Sequence, residues 1–307
     1  MRAVRYYEHG GPAVLTVEEV AEPVAGDHQV IVEAEAIGTN VIDTVFRAGT
    51  SPWPRPLPGT LTGDVVGRVV KAAGDFRIGD RVAGLSEDAA ADLVALDIDW
   101  LTRVPESADA AGATVLSMPA PLALGLLRAG RLAAGETVLV QSAAGGIGHL
   151  LVQLAQLLGA GRVIGTASTG AKLDFVRGLG AEASGYDDVE GPVDLVLDAV
   201  GGDVFDAGLR LLAPGGRMIT YGAVSGTLPT VAAHRLFELT WVTGFSMLAW
   251  RRAFAPQARA EMSEVSDLFT TGRFTATIAE RVPLAEVAHA HEILDARANL
   301  GRVVLMP

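Results

Sequence analysis

Cysteine is missing from all 307 residues of the chain. That one absence removes any disulfide framework, any thiolate nucleophile and any Cys-ligated zinc or iron–sulfur site. Basic residues are scarce: 24 Lys and Arg stand against 36 Asp and Glu, a net charge of −12. Such a field repels phosphate backbones, and no basic run or aromatic–basic interleaving offsets it locally, so no nucleic-acid partner is expected. No stretch reaches the roughly 18 uninterrupted apolar residues of a membrane span. The start, Met1-Arg-Ala-Val-Arg, leads into a polar strand-like segment instead of an apolar signal core. The expectation is a cytoplasmic protein with no membrane partner. The dipeptide Gly-Lys occurs nowhere, against a mononucleotide P-loop, and no Gly-x-Ser-x-Gly elbow of a serine hydrolase is present.

What the chain does have is two textures. A hydrophobic share of 50% over this length suffices for two domains with sizeable cores. From Met1 to about Pro105 short strand-like runs alternate with turn chemistry, as in "HQVIVEAEAIG", where Val30, Val32, Ala34 and Ala36 line one face, and "FRIGDRVAG" with its Gly-Asp turn. This predicts an all-β, barrel-like block. From about Pro119 strand and helix patterns alternate: "ETVLVQ", "HLLVQLAQLLGA", "GRVIGTA", "GAKLDFVRGLGA", "VDLVLDAVG", "DVFDAGLRLLAPGG", "RMITYGA". That order implies a parallel sheet with crossover helices. An amphipathic helix at about Leu284 to Arg297 and a closing strand "GRVVLMP" follow, and are expected to pack back on the first block. No repeat or low-complexity linker separates the parts.

Where the first α/β strand meets its helix the sequence reads Ser142-Ala-Ala-Gly-Gly-Ile-Gly148. Glycines here permit a tight turn, close approach of a pyrophosphate to the backbone, and helix–strand packing, while the helix N-terminus offers oriented N–H groups. Gly145, Gly146 and Gly148, with the strand, helix and second strand "RVIGTA" in place, predict a dinucleotide site. NAD-binding units usually end the second strand on an acid that grips the ribose hydroxyls. From Thr137 to Leu173 there is none; Ser168 and Lys172 stand there instead, which favours NADPH and its 2′-phosphate. The alternative for Lys172 is a solvated helix lysine.

Several segments together, "GTNVID" near residue 40, "GDRV" at 79–82, the glycine motif, "DLVLDAVGG" at 194–202, "YGAVSG" at 221–226 and the terminal "AHEILDARANLGRVVLMP", resemble the quinone oxidoreductase, or zeta-crystallin-like, branch of the zinc-free medium-chain dehydrogenase/reductase superfamily. The resemblance spans nearly the whole chain. It implies an α/β fold in which a GroES-like β-barrel catalytic domain, residues 1–118 with 256–307, accompanies a doubly wound parallel-sheet Rossmann domain, residues 119–255, with NADPH in the cleft and a homodimer as the assembly. It implies that Ala144, Gly145, Gly146, Ile147 and Gly148 hold the pyrophosphate, and that Ala167, Ser168, Lys172 and Tyr186 line the 2′-phosphate pocket. Val200, Tyr221, Gly222 and Ala223 would flank the ribose and nicotinamide. Asn40 would lie beside the nicotinamide amide and, with Thr44, act as a catalytic donor; Asp43, Phe46, Trp53 and Trp241 are the candidate substrate residues. The alternative for Asn40 and Asp43 is a helix cap.

The departures from the superfamily bear on chemistry. Its zinc enzymes carry Cys where this chain has Asn40 and Gly-His-Glu where it has Thr62-Gly63-Asp64, so no metal is expected. The activity implied is NADPH-dependent hydride transfer to a quinone or similarly activated carbonyl. Enone or enoyl-thioester reduction and a non-catalytic NADPH-binding role are the alternatives.

Overall fold

The computed structural model describes residues Met1–Pro307. Its contacts divide the chain into one unit of Met1–Pro119 with Ala276–Pro307 and a second of Ala120–Thr275.

In the first unit, β1 (Arg2–Arg5) and β2 (Thr16–Glu19) form a two-stranded antiparallel ribbon. The main sheet contains β3 (Gln29–Gly38), β4 (Gly63–Lys71), β5 (Arg81–Ser86), β6 (Leu93–Asp97) and β7 (Thr102–Arg103), with helix α1 (Val41–Ala48) after β3 and α2 (Ala110–Ala113) after β7. Val30 and Val32 of β3 are buried, as their alternation dictates, but Ile31 and Ile37 are buried too. Register shifts at Ile31/Val32 and Ala34/Ala36 in the β3–β4 pairing break the strict two-residue period.

The second unit opens with α3 (Pro119–Ala129) and then alternates: β8 (Thr137–Val140), α4 (Gly148–Leu157), β9 (Arg162–Thr166), α5 (Gly170–Gly178), β10 (Glu182–Ser184), β11 (Val193–Asp198), α6 (Gly202–Arg210), β12 (Leu212–Thr220), β13 (Trp241–Gly244), α7 (Met247–Ala253) and α8 (Ala255–Thr270). All strand pairs are parallel, and the order across the sheet is β10-β9-β8-β11-β12-β13. This is the doubly wound dinucleotide-binding order, in which the connections reverse direction between β8 and β11. Leu139, Ile164, Val196, Phe205 and Met218 form one apolar layer of its core. The chain then returns to the first unit as β14 (Ile278–Pro283), α9 (Val287–Asp295) and β15 (Arg302–Met306), and β15 joins the main sheet antiparallel to β3.

One expectation changes. The second crossing between units, placed at 255/256 from the sequence, falls at 275/276, because α8 is tied into the second unit. Glu264 accepts from Arg128 of α3, Glu261 accepts from Trp250 Nε1, and Gln153 of α4 holds Thr275. The stretch Ala110–Ala129 is apolar enough by composition to cross a membrane, yet it is almost wholly buried inside the protein, the setting of a core helix.

Candidate active site

The glycine turn sits at the C-terminal end of β8, beside the point where the sheet order reverses. Ser142 takes a left-handed conformation, φ 56°, to begin it. Ala143 N donates to Thr166 O of the neighbouring β9 end, and Gly145 N donates back to Ser142 O. A Cβ on Gly148 would stand 2.2 Å from Ser142 O and 2.7 Å from Ala143 Cα, both backbone, so α4 approaches the turn as only glycine allows. His149, fully buried in the first turn of α4, donates its Nδ1–H to Gly145 O at 2.8 Å; a carbonyl only accepts, which fixes the tautomer. Ala144 is buried, whereas Gly145, Gly146 and Ile147 keep partly exposed backbone at the helix start.

The next strand end supplies polar groups without an acid. β9 and β10 run parallel with Thr166 opposite Ser184, and Ala167 N donates to Ser184 O, which brings the segment carrying Tyr186 alongside Ala167 and Ser168. Thr169 caps α5 by accepting from Lys172 N, so Lys172 stands in that helix's first turn. The hydroxyl of Thr166 is buried without a hydrogen-bond partner. An excluded Cβ, a partnerless hydroxyl and a cation at a capped helix start fit a dinucleotide that carries a 2′-phosphate.

The ends of β11 and β12 are laced by Asp198. Its Oδ1 accepts from Val200 N and Gly201 N at 2.9 and 3.0 Å, and its Oδ2 from Thr220 Oγ1 at 3.0 Å. Burial raises its carboxyl above the ordinary range against those bonds. Val224 N donates to Ala199 O and Ser225 N to Val200 O, so Val200 and the Tyr221–Ala223 run form one rigid shelf. Burial, then the Asp198 carboxylate, pushes the Tyr221 hydroxyl up and keeps it neutral. Trp241 is elsewhere. It opens β13, opposite Arg217, at the N-terminal end of the sheet, with Arg131 over its ring. Ligands of such sheets bind at the C-terminal strand ends, so the expected substrate role of Trp241 is withdrawn.

In the first unit Asn40 is the N-cap residue of α1 by backbone conformation, but its side chain makes no cap hydrogen bond; its buried amide turns instead to the Asp64 carboxylate. It adjoins Asp64, which is fully buried and accepts from Ser117 Oγ at 2.5 Å and Arg302 Nη2 at 2.6 Å. The capping alternative fails for Asp43 too. Its carboxylate accepts from Thr62 N at 2.9 Å and Thr62 Oγ1 at 2.8 Å, and burial pushes it up to about 7. Thr44 spends its hydroxyl hydrogen on Val41 O at 2.9 Å, which removes the donor expected of it. Phe46 lies under the Arg55 guanidinium at 4.2 Å, and Trp53 is 66% exposed on the proline-rich segment that follows.

Two family profiles match the chain, an alcohol dehydrogenase GroES-like domain over residues 26–101 and a zinc-binding dehydrogenase family over residues 158–305. A human quinone oxidoreductase is 30% identical over 100% of this chain and 98% of its own length. The chain belongs to the quinone oxidoreductase branch of the medium-chain dehydrogenase/reductase superfamily. A Burkholderia 2-haloacrylate reductase is 32% identical, covering 98% of this chain and 97% of that one. Among solved structures, a mycobacterial protein in complex with NADPH aligns over 100% of both chains at 32% identity and a TM-score of 0.93. Despite one profile's name, no group of three or more His, Asp or Glu side chains is placed to hold a metal.

Sequence reasoning missed His149, Thr62, Asp64, Asp198 and Arg302. His149 and Asp198 carried a signal, a histidine straight after the glycines and an acid at a strand end before a Gly-Gly pair. Thr62 and Asp64 carried one only as the segment that replaces the zinc enzymes' Gly-His-Glu, and Arg302 carried none, since it is the fold of the last strand that brings it to Asp64.

Proposed function

We propose that the protein is an NADPH-dependent oxidoreductase that reduces a quinone or a similarly activated carbonyl without a metal. The observation that carries this reading is the Ser142–Gly148 turn at the reversal point of the sheet, beside a strand end that offers Ser168 and Lys172 and no acid. The mycobacterial NADPH complex and the quinone oxidoreductase relatives support it.

Bound NADPH supplies the hydride. The chain's own residues bind and orient. The N–H groups at the α4 start, with Gly145, Gly146 and Gly148 leaving room, take the pyrophosphate. Ser168, Lys172 and Tyr186 take the 2′-phosphate, and the shelf of Val200 and Tyr221–Ala223 carries the ribose and nicotinamide. Asn40, whose amide adjoins the Asp64 carboxylate, is the residue that would hold the nicotinamide amide. Quinones and conjugated carbonyls accept a hydride readily enough to dispense with a metal, for which this cysteine-free chain has no donor set. Similarity to a 2-haloacrylate reductase favours conjugated C=C reduction as the second reading.

The test is an acceptor panel of quinones, enones and enals assayed with NADPH and NADH. NADPH is expected to bind more tightly, and Lys172→Ala to narrow the gap about tenfold to a hundredfold, the worth of one charge-assisted contact. Equal affinity for both cofactors in the unmodified protein would end the 2′-phosphate assignment, and NADPH binding without turnover on the whole panel would leave a binding protein.

A further inference from the structure

We propose that Thr62 and Asp43 are the proton-delivering pair of this reaction: the Thr62 hydroxyl protonates the acceptor's oxygen, and Asp43, behind it, restores the Thr62 proton. This rests on the oxidoreductase reading above.

The geometry begins with strand register. β3 and β4 pair antiparallel with Ile37 opposite Val65 and Gly38 opposite Asp64. The pairing ends at that pair, and Asn40 and Thr62 each lie two residues beyond it. Asp43 is one helical turn beyond Asn40 on α1, and both its oxygens are engaged by Thr62, through N–H and through Oγ1. Asn40 and Thr62 are half-buried, while Asp43 is 1% exposed and its carboxylate is held by Thr62. A buried acid therefore reaches the surface of its unit through one half-buried hydroxyl.

A threonine hydroxyl has one hydrogen and two lone pairs, so its bond to a carboxyl group reverses with protonation. With Asp43 ionised, Thr62 donates to it, as the 2.8 Å contact allows. With Asp43 protonated, the carboxyl donates to Thr62 Oγ1 and the threonine hydrogen is freed for another acceptor. Hydride from NADPH leaves an oxyanion on the acceptor. The oxyanion forms an O–H bond as the Thr62 O–H breaks; the Thr62 O–H re-forms as the Asp43 O–H breaks; solvent returns a proton to the Asp43 carboxylate. One hydride and one proton enter the product, and the chain is regenerated.

The groups that face Asp43 keep both of its states within reach. Burial raises it, Asp64 of β4 adds to this, and the Thr62 bonds and Arg55 oppose it, leaving it at about 7. Tyr6, beyond β1, lies in the same field as Asp43, Arg55 and Arg47; burial raises its hydroxyl and keeps it neutral.

The full-length protein, NADPH and 2-methyl-1,4-naphthoquinone serve for the test, with Thr62→Val, Thr62→Ser and Asp43→Asn compared by kcat from pH 5.5 to 8.5, NADPH Kd and thermal melting. In the unmodified protein kcat should fall as pH rises through about 7. Thr62→Val should lower kcat by at least about tenfold, within the usual reach of a general acid, with NADPH Kd within about twofold. Thr62→Ser, which keeps the hydroxyl, should restore most of it, and Asp43→Asn should be slow with no break near pH 7. Folded Thr62→Val and Asp43→Asn proteins with unchanged kcat and pH profile would overturn the proton relay alone. No turnover by the unmodified protein with any acceptor would overturn both it and the reading it rests on.

Discussion

Arg47 and Asp43, one turn apart on α1, hold two ionisable groups of the first unit away from their ordinary behaviour in opposite directions. Arg47 donates Nη1–H to His291 Nδ1 at 2.9 Å and pairs with Asp295 at 2.6 Å. A guanidinium cannot accept, so His291 is neutral with its proton on Nε2; burial and then the Arg47 charge push it down to about 4. Asp43 is pushed up to about 7 by burial. A lowered histidine adds stability above its unfolded value near 6.5 and loses it as pH falls through about 4. A raised carboxyl adds stability below its unfolded value of 3.8 and loses it as pH rises through about 7. Between pH 4.5 and 6.5 the two slopes oppose, and the unmodified protein should melt at nearly constant temperature. Asp43→Asn should become more stable as pH rises across that window, and His291→Asn, whose Oδ1 can replace Nδ1, should become less stable. Each trend should amount to several degrees, since every pK unit is worth about 1.4 kcal/mol. Parallel melting profiles for all three proteins would show that the two shifts are absent.

Among the elements, the β8–turn–α4 unit separates packing from binding at neighbouring glycines. A methyl at Gly148 would meet backbone at 2.2 and 2.7 Å, whereas at Gly145 the nearest atom is Ser142 O at 3.3 Å. Gly148→Ala should therefore cost about 1–3 kcal/mol of stability by forcing α4 off the turn, together with cofactor affinity. Gly145→Ala should melt almost normally and still bind NADPH more weakly, because its methyl projects from partly exposed backbone where a phosphate must approach. Melting and NADPH titration of the two variants decide it: equal loss of stability in both would refute the distinction. This unit was legible because glycine spacing and the change from strand to helix period are local properties of the chain. The acid-free end of β9 was legible for the same reason. Strand polarity at the sheet edge was not. Trp241 looks like a site aromatic in an apolar run, and only its position as the first residue of β13 sends it to the opposite end from the glycine turn. Nor could the sequence show that Asp43 meets Thr62 or that Asn40 meets Asp64, since these contacts join residues about twenty apart in the chain. The α8 boundary was missed because amphipathic periodicity says that a helix buries one face, not which unit it buries it against.

At the scale of the whole molecule, one apolar region is left without cover. β13 is the edge strand of the six-stranded sheet, pairing only with β12. The chain leading into it exposes Phe237 (83%) and Leu239 (70%), its first residue Trp241 is 61% exposed, and Leu248 and Phe254 just beyond it are more than half exposed. An open edge beside large apolar side chains is a template for pairing with another chain, and proteins that remain monomeric blunt such edges with charge, proline or a covering loop. β13, "WVTG", has none of these within it. Closed two-fold assembly would use the same patch on both copies. A homodimer is therefore expected, with on the order of 800 Å² buried per subunit, the size of a stable interface. Light scattering at micromolar concentration should give twice the chain mass of 31.8 kDa. Phe237→Arg adds a charge at a position open in the single chain, so it should fold normally, dissociate the dimer and leave NADPH affinity unchanged. A monomeric unmodified protein would sink the assignment, and a dimer untouched by Phe237→Arg would move the interface to another face.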